Sequence, residues 1–241
     1  KAMTIIVEGQ NANGCFDYNY NKGNRVDLSF AGWNYQAMKA CYATDIKIPG
    51  LEDGIRNGIK WLKLMASKSH SFPYDIKGEQ VRHGGSASMR AVGVLCLQIY
   101  GEGKTPALKD ELQRITREDL GRFKWSKPPK DSLYTWYYAT QAMFQGGPKY
   151  WKSWNRVFQK ELIDNQNKDG SWLYPGGGHS RHAGDETSQR VYATSLCSLM
   201  LTVYYRYLPS GNVRGGFEAK VRKNKAKAAQ ATEEEEEVLD L

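Results

Sequence analysis

The chain has 241 residues, a hydrophobic fraction of 40%, an aromatic fraction of 12% and a formal charge of +8. That is enough apolar material for a substantial core in one or two domains, and no run approaches the roughly eighteen consecutive apolar residues of a membrane-spanning helix. Residues 212–241 hold six Lys/Arg and seven Asp/Glu, so the body carries 28 basic and 19 acidic residues, or +9; the basic ones are scattered, which argues against a nucleic-acid module.

Cys15, Cys41, Cys96 and Cys197 form no C-x-x-C pair and have no metal-ligand spacing, so buried thiols are expected rather than disulfides or zinc ligands. Met3 to Val7 is too short and too poorly flanked for a signal peptide, and no compartment is read from the sequence.

In chain order, Lys1 to Gly9 reads as the end of an amphipathic helix. Gln10-x-x-x-Gly14-x-Phe16 follows as an aromatic turn, and Ser29 to Ala43 as an apolar helix containing Gln36-Ala37-Met38. Ile55, Ile59, Leu62 and Met65 then fall at helical spacing. The aromatic turn Phe72-Pro73-Tyr74 leads to a second apolar helix, Ser86 to Tyr100, with Arg90-Ala91-Val92. Leu108, Leu112 and Ile115 mark another amphipathic helix, followed by Phe123-Lys124-Trp125 and an apolar helix holding Tyr138-Ala139-Thr140. Trp151, Trp154, Phe158 and Leu162 repeat the amphipathic spacing. Gln166-x-x-x-Gly170-x-Trp172 and the helix Thr187 to Leu208, with Tyr192-Ala193-Thr194, complete the series. Pro209-Ser210-Gly211 ends that helix. The remainder, rich in Lys and Ala and then Glu233 to Glu237, lacks a hydrophobic face and reads as a disordered or loosely helical tail.

The triplets begin at residues 36, 90, 138 and 192, at intervals of 54, 48 and 54. The two Gln-x-x-x-Gly-x-aromatic turns lie 156 residues apart, which is the span of the same three intervals. Two marks sharing one period define four repeats of two helices each. The first helix of each repeat is amphipathic and therefore outer; the second is apolar almost all round and therefore inner. Such hairpins bury their faces only by stacking on neighbours. The expected division is a repeat domain over residues 1–211 and a charged low-complexity tail over 212–241.

Gln166-x-x-x-Gly170-x-Trp172, placed after an amphipathic helix and before an apolar one, resembles the QW motif of squalene and oxidosqualene cyclases. The stretch from Leu133 through Trp172 to Pro209 is similar to bacterial prenyltransferase/squalene-oxidase repeat proteins, within the terpenoid cyclase and protein prenyltransferase superfamily. The resemblance covers about residues 1–209. It implies an all-α fold, an α/α toroid in which inner helices ring a cavity and outer helices wrap them. It also makes Gln10, Gly14, Phe16, Gln166, Gly170 and Trp172 structural ties between neighbouring repeats. A complete ring of that family has more hairpins than this chain supplies, so an incomplete toroid is expected, completed by upstream repeats of the same parent protein.

The family's catalytic signatures are missing. Class II cyclisation uses an Asp-x-Asp-Asp acid, and no such run occurs. Asp185-Glu186 precedes an inner helix, where helix capping is the ordinary reading and acid/base work the sharper one. Asp131 sits in a loop where prenyltransferases begin a zinc site, but Ser132 to Tyr137 offer no Cys or His. His179-x-x-His182-x-x-Asp185 is a second possible metal set, weighed against a polar loop. Gly78-Glu79-Gln80 matches part of the thioester motif of complement-type domains, without its cysteine. No cofactor is expected. The candidate catalytic residues are thus Asp131, Asp185 and Glu186, and the candidate metal ligands His179 and His182.

Aromatic residues mixed with Arg, His and Asp at turns and inner-helix starts suit a polar ligand with flat faces. Trp33, Tyr74, Arg90, Trp136, Tyr137 and Arg190 are the cavity candidates. The expected function is ligand or partner binding, with a small molecule, a sugar or a peptide as ligand. A divergent terpene cyclase, or a polysaccharide- or peptide-acting enzyme on the same barrel, is the alternative.

Overall fold

In the computed structural model the structure describes residues 1–23, 25–44, 46–68, 72–77, 80–178, 183–206, 217–219, 221–224 and 226. The chain is mostly helical. Helix α1 (Ala2–Gly9) leads through the first aromatic turn to a short strand β1 (Arg25–Asp27) and α2 (Leu28–Tyr42). Then come α3 (Leu51–Lys68), strands β2 (Pro73–Lys77) and β3 (Gln80–Gly85), and α4 (Ala87–Ile99). Helix α5 (Pro106–Arg114) runs on through a wide turn at Ile115–Asp119, and is followed by α6 (Ser132–Gln145), α7 (Pro148–Asp164), α8 (Glu186–Leu201) and the single turn α9 (Val203–Arg206).

Caps set several of these starts. Asp27, Ser86, Thr105 and Asp185 each accept a backbone N–H three residues on, closing the first turn of α2, α4, α5 and α8. Pro106 and Pro148 occupy first turns, where a missing N–H costs nothing.

Helices α2, α4, α6 and α8 neighbour one another in chain order, and α3 and α7 pack on the side of α2, α4 and α6. The burial pattern follows the sequence. Every residue of α4 from Met89 to Ile99 is buried, whereas α7 buries only Tyr150, Trp154, Phe158 and Leu162. Helix α4, with no polar face, is thus covered along most of its length, whereas the amphipathic α7 is covered along one stripe.

A small sheet accompanies the helices of this mostly helical fold. Strands β1, β2 and β3 form an antiparallel sheet in that order, with Val26 opposite Ile76, Asp27 opposite Asp75, and Asp75 opposite His83. Phe72-Pro73-Tyr74 therefore opens a strand instead of a simple turn. Val26 and Ile76 turn inward onto the core, and a bulge between Asp75 and Ile76 breaks the two-residue alternation. The Gly78-Glu79 part of the thioester-like match lies outside the described residues.

The two Gln-x-x-x-Gly-x-aromatic segments fold alike. Gln10 Nε2 donates to the Gly14 carbonyl at 2.8 Å, and Gln166 Nε2 to the Gly170 carbonyl at 2.9 Å. In each, the Asn after Gln donates its N–H four residues on (2.9 and 2.8 Å) and accepts one from the glycine (2.8 and 2.9 Å). Gly14 and Gly170 have φ of 92° and 84°, a conformation an L side chain resists.

Beyond α9, Phe217 and Val221 are buried four residues apart. Phe217 lies against Tyr42 and Tyr100, the ring centroids 5.0 and 6.2 Å away, and Glu218 pairs with Arg56 at 2.7 Å. This part of the charged segment docks at the C-terminal ends of α2 and α4.

Candidate functional site

Where β1, β2 and the start of α2 meet, Arg25 binds three carboxylates. Its guanidinium pairs with Asp17, with Asp27 at 3.2 Å and with Asp75 at 3.1 Å. Asp17, Asp27 and Asp75 are 6%, 0% and 4% exposed. Burial works against the charge on Arg25, but the three carboxylates outweigh it and hold the guanidinium protonated. The group fastens the first aromatic turn, the sheet and the α2 cap together, and it carries two more negative charges than positive ones when all four groups are ionised.

A chain of hydroxyls leads outward from this clasp. Ser29 Oγ donates to Asp27 Oδ1 at 2.6 Å and lies 3.3 Å from the Tyr18 hydroxyl. Ser29 has one proton and Asp27 takes it, so Tyr18 is the donor in the second contact. Tyr74 shares this cluster: burial first, then its bond to the Tyr18 hydroxyl, pushes its own hydroxyl well above the usual tyrosine range. Tyr134 is pushed up too, by burial and by the nearby charge of Asp27.

Beside the hydroxyls stands an aromatic stack. Trp33 of α2, 46% exposed, stacks on Tyr137 of α6 at 5.9 Å and 20°, and meets Tyr138 edge-on at 5.6 Å. Gln36 reaches the Tyr138 hydroxyl at 3.5 Å. Side chains of α2 and α6 thus meet across the face of the intervening α4.

Of the sequence candidates, Trp33, Tyr137 and Tyr74 come to this neighbourhood. Trp136 does not. It is buried under Phe123, with rings stacked at 4.0 Å, and belongs to the core between α6 and α7. Arg90 turns the other way, into a buried ion cluster with Glu111, Glu118 and Asp119. Arg190 of α8 reaches to the exposed turn after α7, bonded to Ser171 Oγ at 2.8 Å and paired with Asp169. Adjacent positions on an apolar helix point about 100° apart, so sequence alone does not say which aromatic faces the site.

The catalytic candidates are dispersed. Asp185 caps α8, accepting from Ser188 N at 2.9 Å and Ser188 Oγ at 2.6 Å, which holds its carboxyl below the usual range. Glu186 is exposed in the first turn of the same helix. Asp131 precedes α6 in a left-handed conformation, φ 54°, and makes no side-chain cap. His179 and His182 lie outside the described residues. Among the described residues no group of three or more His, Cys, Asp or Glu has the arrangement of a metal site. Cys15 and Cys96 are buried thiols; burial pushes Cys15 up to about 12 and Cys96 higher, which removes their nucleophilicity near neutrality.

Asp17 and Ser29 were missed as site residues. Ser29 had a legible signal, since a hydroxyl two residues after a capping Asp is placed to bond it. Asp17 had none, because its partner Arg25 reaches it only once the turn is folded.

No described helix is long and apolar enough to cross a membrane. Compared with known proteins, the chain matches no protein-family model and no curated sequence.

Proposed function

We propose that this chain is a helical-hairpin repeat domain of the α/α-toroid type that binds a sugar chain at the rim formed by Tyr18, Ser29, Trp33 and Tyr74. The observation that carries the reading is the directed hydroxyl chain Tyr18–Ser29–Asp27 beside the half-exposed Trp33. The exposed Tyr18 hydroxyl is placed to meet ligand hydroxyls, and an exposed indole offers a flat apolar face to a pyranose ring. The net negative clasp beneath favours donors over acceptors.

A terpene cyclase would need a wide apolar cavity and a buried carboxyl kept protonated. The Trp33–Tyr137–Tyr138 stack, where side chains of α2 and α6 meet, weighs against that cavity. The hydrogen bonds that hold the Asp185 carboxyl below its usual range weigh against that acid.

Isothermal titration with hexamers of glucose, glucosamine and N-acetylglucosamine tests the binding. Saturable heat is expected with at least one of them, lost in Trp33→Ala and weakened about tenfold in Ser29→Ala, the worth of one hydrogen bond to a charged chain. No saturable heat with any hexamer refutes the sugar reading.

A further inference from the structure

The end of α2 opposite the sugar rim carries a second surface, and a late part of the chain covers it. Phe217 and Val221, in helical backbone at 217–219 and 221–224, stand four residues apart and turn one face to the core, each 3% exposed. Phe217 enters between the rings of Tyr42 and Tyr100, and the Arg56 guanidinium of α3 lies over its ring at 6.0 Å. The next residue, Glu218, meets Arg56 Nε at 2.7 Å. The pattern that fits the pocket is thus an aromatic residue, an acidic one directly after it and an aliphatic one four positions past the aromatic.

The pocket does not depend on its occupant. The Tyr100 hydroxyl donates to the Tyr35 carbonyl of α2 at 2.7 Å, which fixes that ring from within the fold. Arg56 keeps Asp53 at 2.8 Å and Glu52 at 3.4 Å on its own helix, so departure of Glu218 strands no cation. The occupant, for its part, is lightly held. The Glu218 side chain is 52% exposed, where an ion pair contributes little. Among the described residues beyond α9 only Phe217 and Val221 are buried. Two apolar anchors on a short helix, set against the entropy of ordering it, give a contact that opens locally.

We propose that the pocket of Tyr42, Arg56 and Tyr100 is a docking site for an amphipathic helix of a partner protein with this aromatic–acidic–x–x–aliphatic pattern, and that residues 217–224 occupy it as a built-in competitor. A partner wins by matching both anchors and the carboxylate and adding a longer apolar stripe, which this chain's own segment lacks, since its remaining residues are mostly Lys, Arg and Ala. The segment sets the threshold, because apparent affinity falls with the fraction of molecules whose pocket stands open.

The probe is a fluorescently labelled peptide of sequence Asn212–Gln230, titrated by anisotropy against the full chain as wild type, as the double variant Phe217→Ala/Val221→Ala and as Glu218→Arg. Saturable binding to the double variant is expected, about tenfold or more tighter than to the wild type, whose own segment competes. Glu218→Arg, an exposed change that carries no risk to the core, should bind the peptide with intermediate affinity, and it decides the matter if the double variant loses its helical circular dichroism. Phe217→Ala in the peptide should abolish binding. Arg56→Glu in the double variant should weaken it several-fold, and Glu218→Arg in the peptide should recover it. Absence of saturation on either variant up to about 1 mM, the weakest range of specific association, overturns the proposal. Equal affinity for the wild type and both variants also overturns it, because the peptide would then bind elsewhere. So does a wild-type dimer that Phe217→Ala/Val221→Ala dissociates, which assigns the pocket to a second copy of the chain.

Discussion

Replacing Arg90 by Met tests how α4 is joined to α5 and to the wide turn that follows it. Arg90 is 6% exposed, in the middle of an apolar helix, and its guanidinium meets Glu111 at 3.2 Å, Glu118 at 3.0 Å and Asp119 at 2.9 Å. Arg114 is the second cation of the group, bonded to Glu111 and Glu118, and Arg122 lies near Asp119. Removing Arg90 leaves Glu111 and Asp119 buried with less than their share of positive charge. Breaking a buried pair in this way costs about 3–5 kcal/mol. The lower end applies here, about 3 kcal/mol, because the Glu118 side chain is 42% exposed and Arg114 remains. The pH dependence fixes the mechanism. Burial already raises the carboxyls of Glu111 and Asp119 above their ordinary values, and losing Arg90 raises them further. Groups raised in the folded state bind protons there before the unfolded chain does. Their charged forms therefore penalise folding above the folded-state value, and the penalty fades as pH falls through it. Urea unfolding of both proteins at about pH 7 and about pH 4.5 should show a deficit that shrinks by half or more at the lower pH. A deficit under about 1 kcal/mol at neutrality, the size of an ordinary surface pair, or one equal at both pH values, would refute the reasoning.

Gly14→Ala and Gly170→Ala both impose a left-handed Cβ, worth about 1–2 kcal/mol. The first should cost clearly more, because its Cβ also meets the α3 backbone, and thermal melts of the pair should separate accordingly; equal losses would contradict the different surroundings of the turns. Trp136→Ala should destabilise by about 3–5 kcal/mol as a core truncation, whereas Trp33→Ala should lose only its stacking, about 1 kcal/mol; chemical denaturation of the two would contradict the placement of Trp136 if the order were reversed. Phe217→Ala should remove about 1.5–3 kcal/mol of docking and speed tryptic cleavage at Arg222 and Lys223. Unchanged cleavage would mean that the segment is not held by Phe217.

What was legible in the sequence was periodic or local; what was not depends on partners remote in the chain. The exact triplet copies show this. Tyr138 and Tyr192 each stand seven residues past the residue at the helix start, Asp131 and Asp185. The looser copies do not share that register, since Gln36 is nine past Asp27 and Arg90 four past Ser86. The first repeats carry β1, β2 and β3 between their helices, so equal spacing along the chain there does not mean equal place in the fold. Arg90 is a cavity candidate because it stands in the first turn of α4, but its side chain turns to Glu111, Glu118 and Asp119 instead. Glu111, Glu118 and Asp119 lie on an amphipathic segment where charges ordinarily face water, and only folding brings Arg90 of α4 against them.

The paired glycine turns mark where sequence reading ends. Gln10-x-x-x-Gly14 and Gln166-x-x-x-Gly170 announce the same backbone turn because its hydrogen bonds close within five residues, and the structure builds it twice with nearly the same distances. Whether a helix then lies against the turn depends on the segment that follows in the stack. At the first turn, Gly54 and Gly58 open α3 to close approach and Tyr35 is buried. At the second, the same local code leaves Gly170 exposed, with Gln166 Nε2 the nearest atom among the described residues to an added Cβ. The same five-residue code is therefore compatible with a buried and with an exposed glycine, and only the segment packed against it decides which.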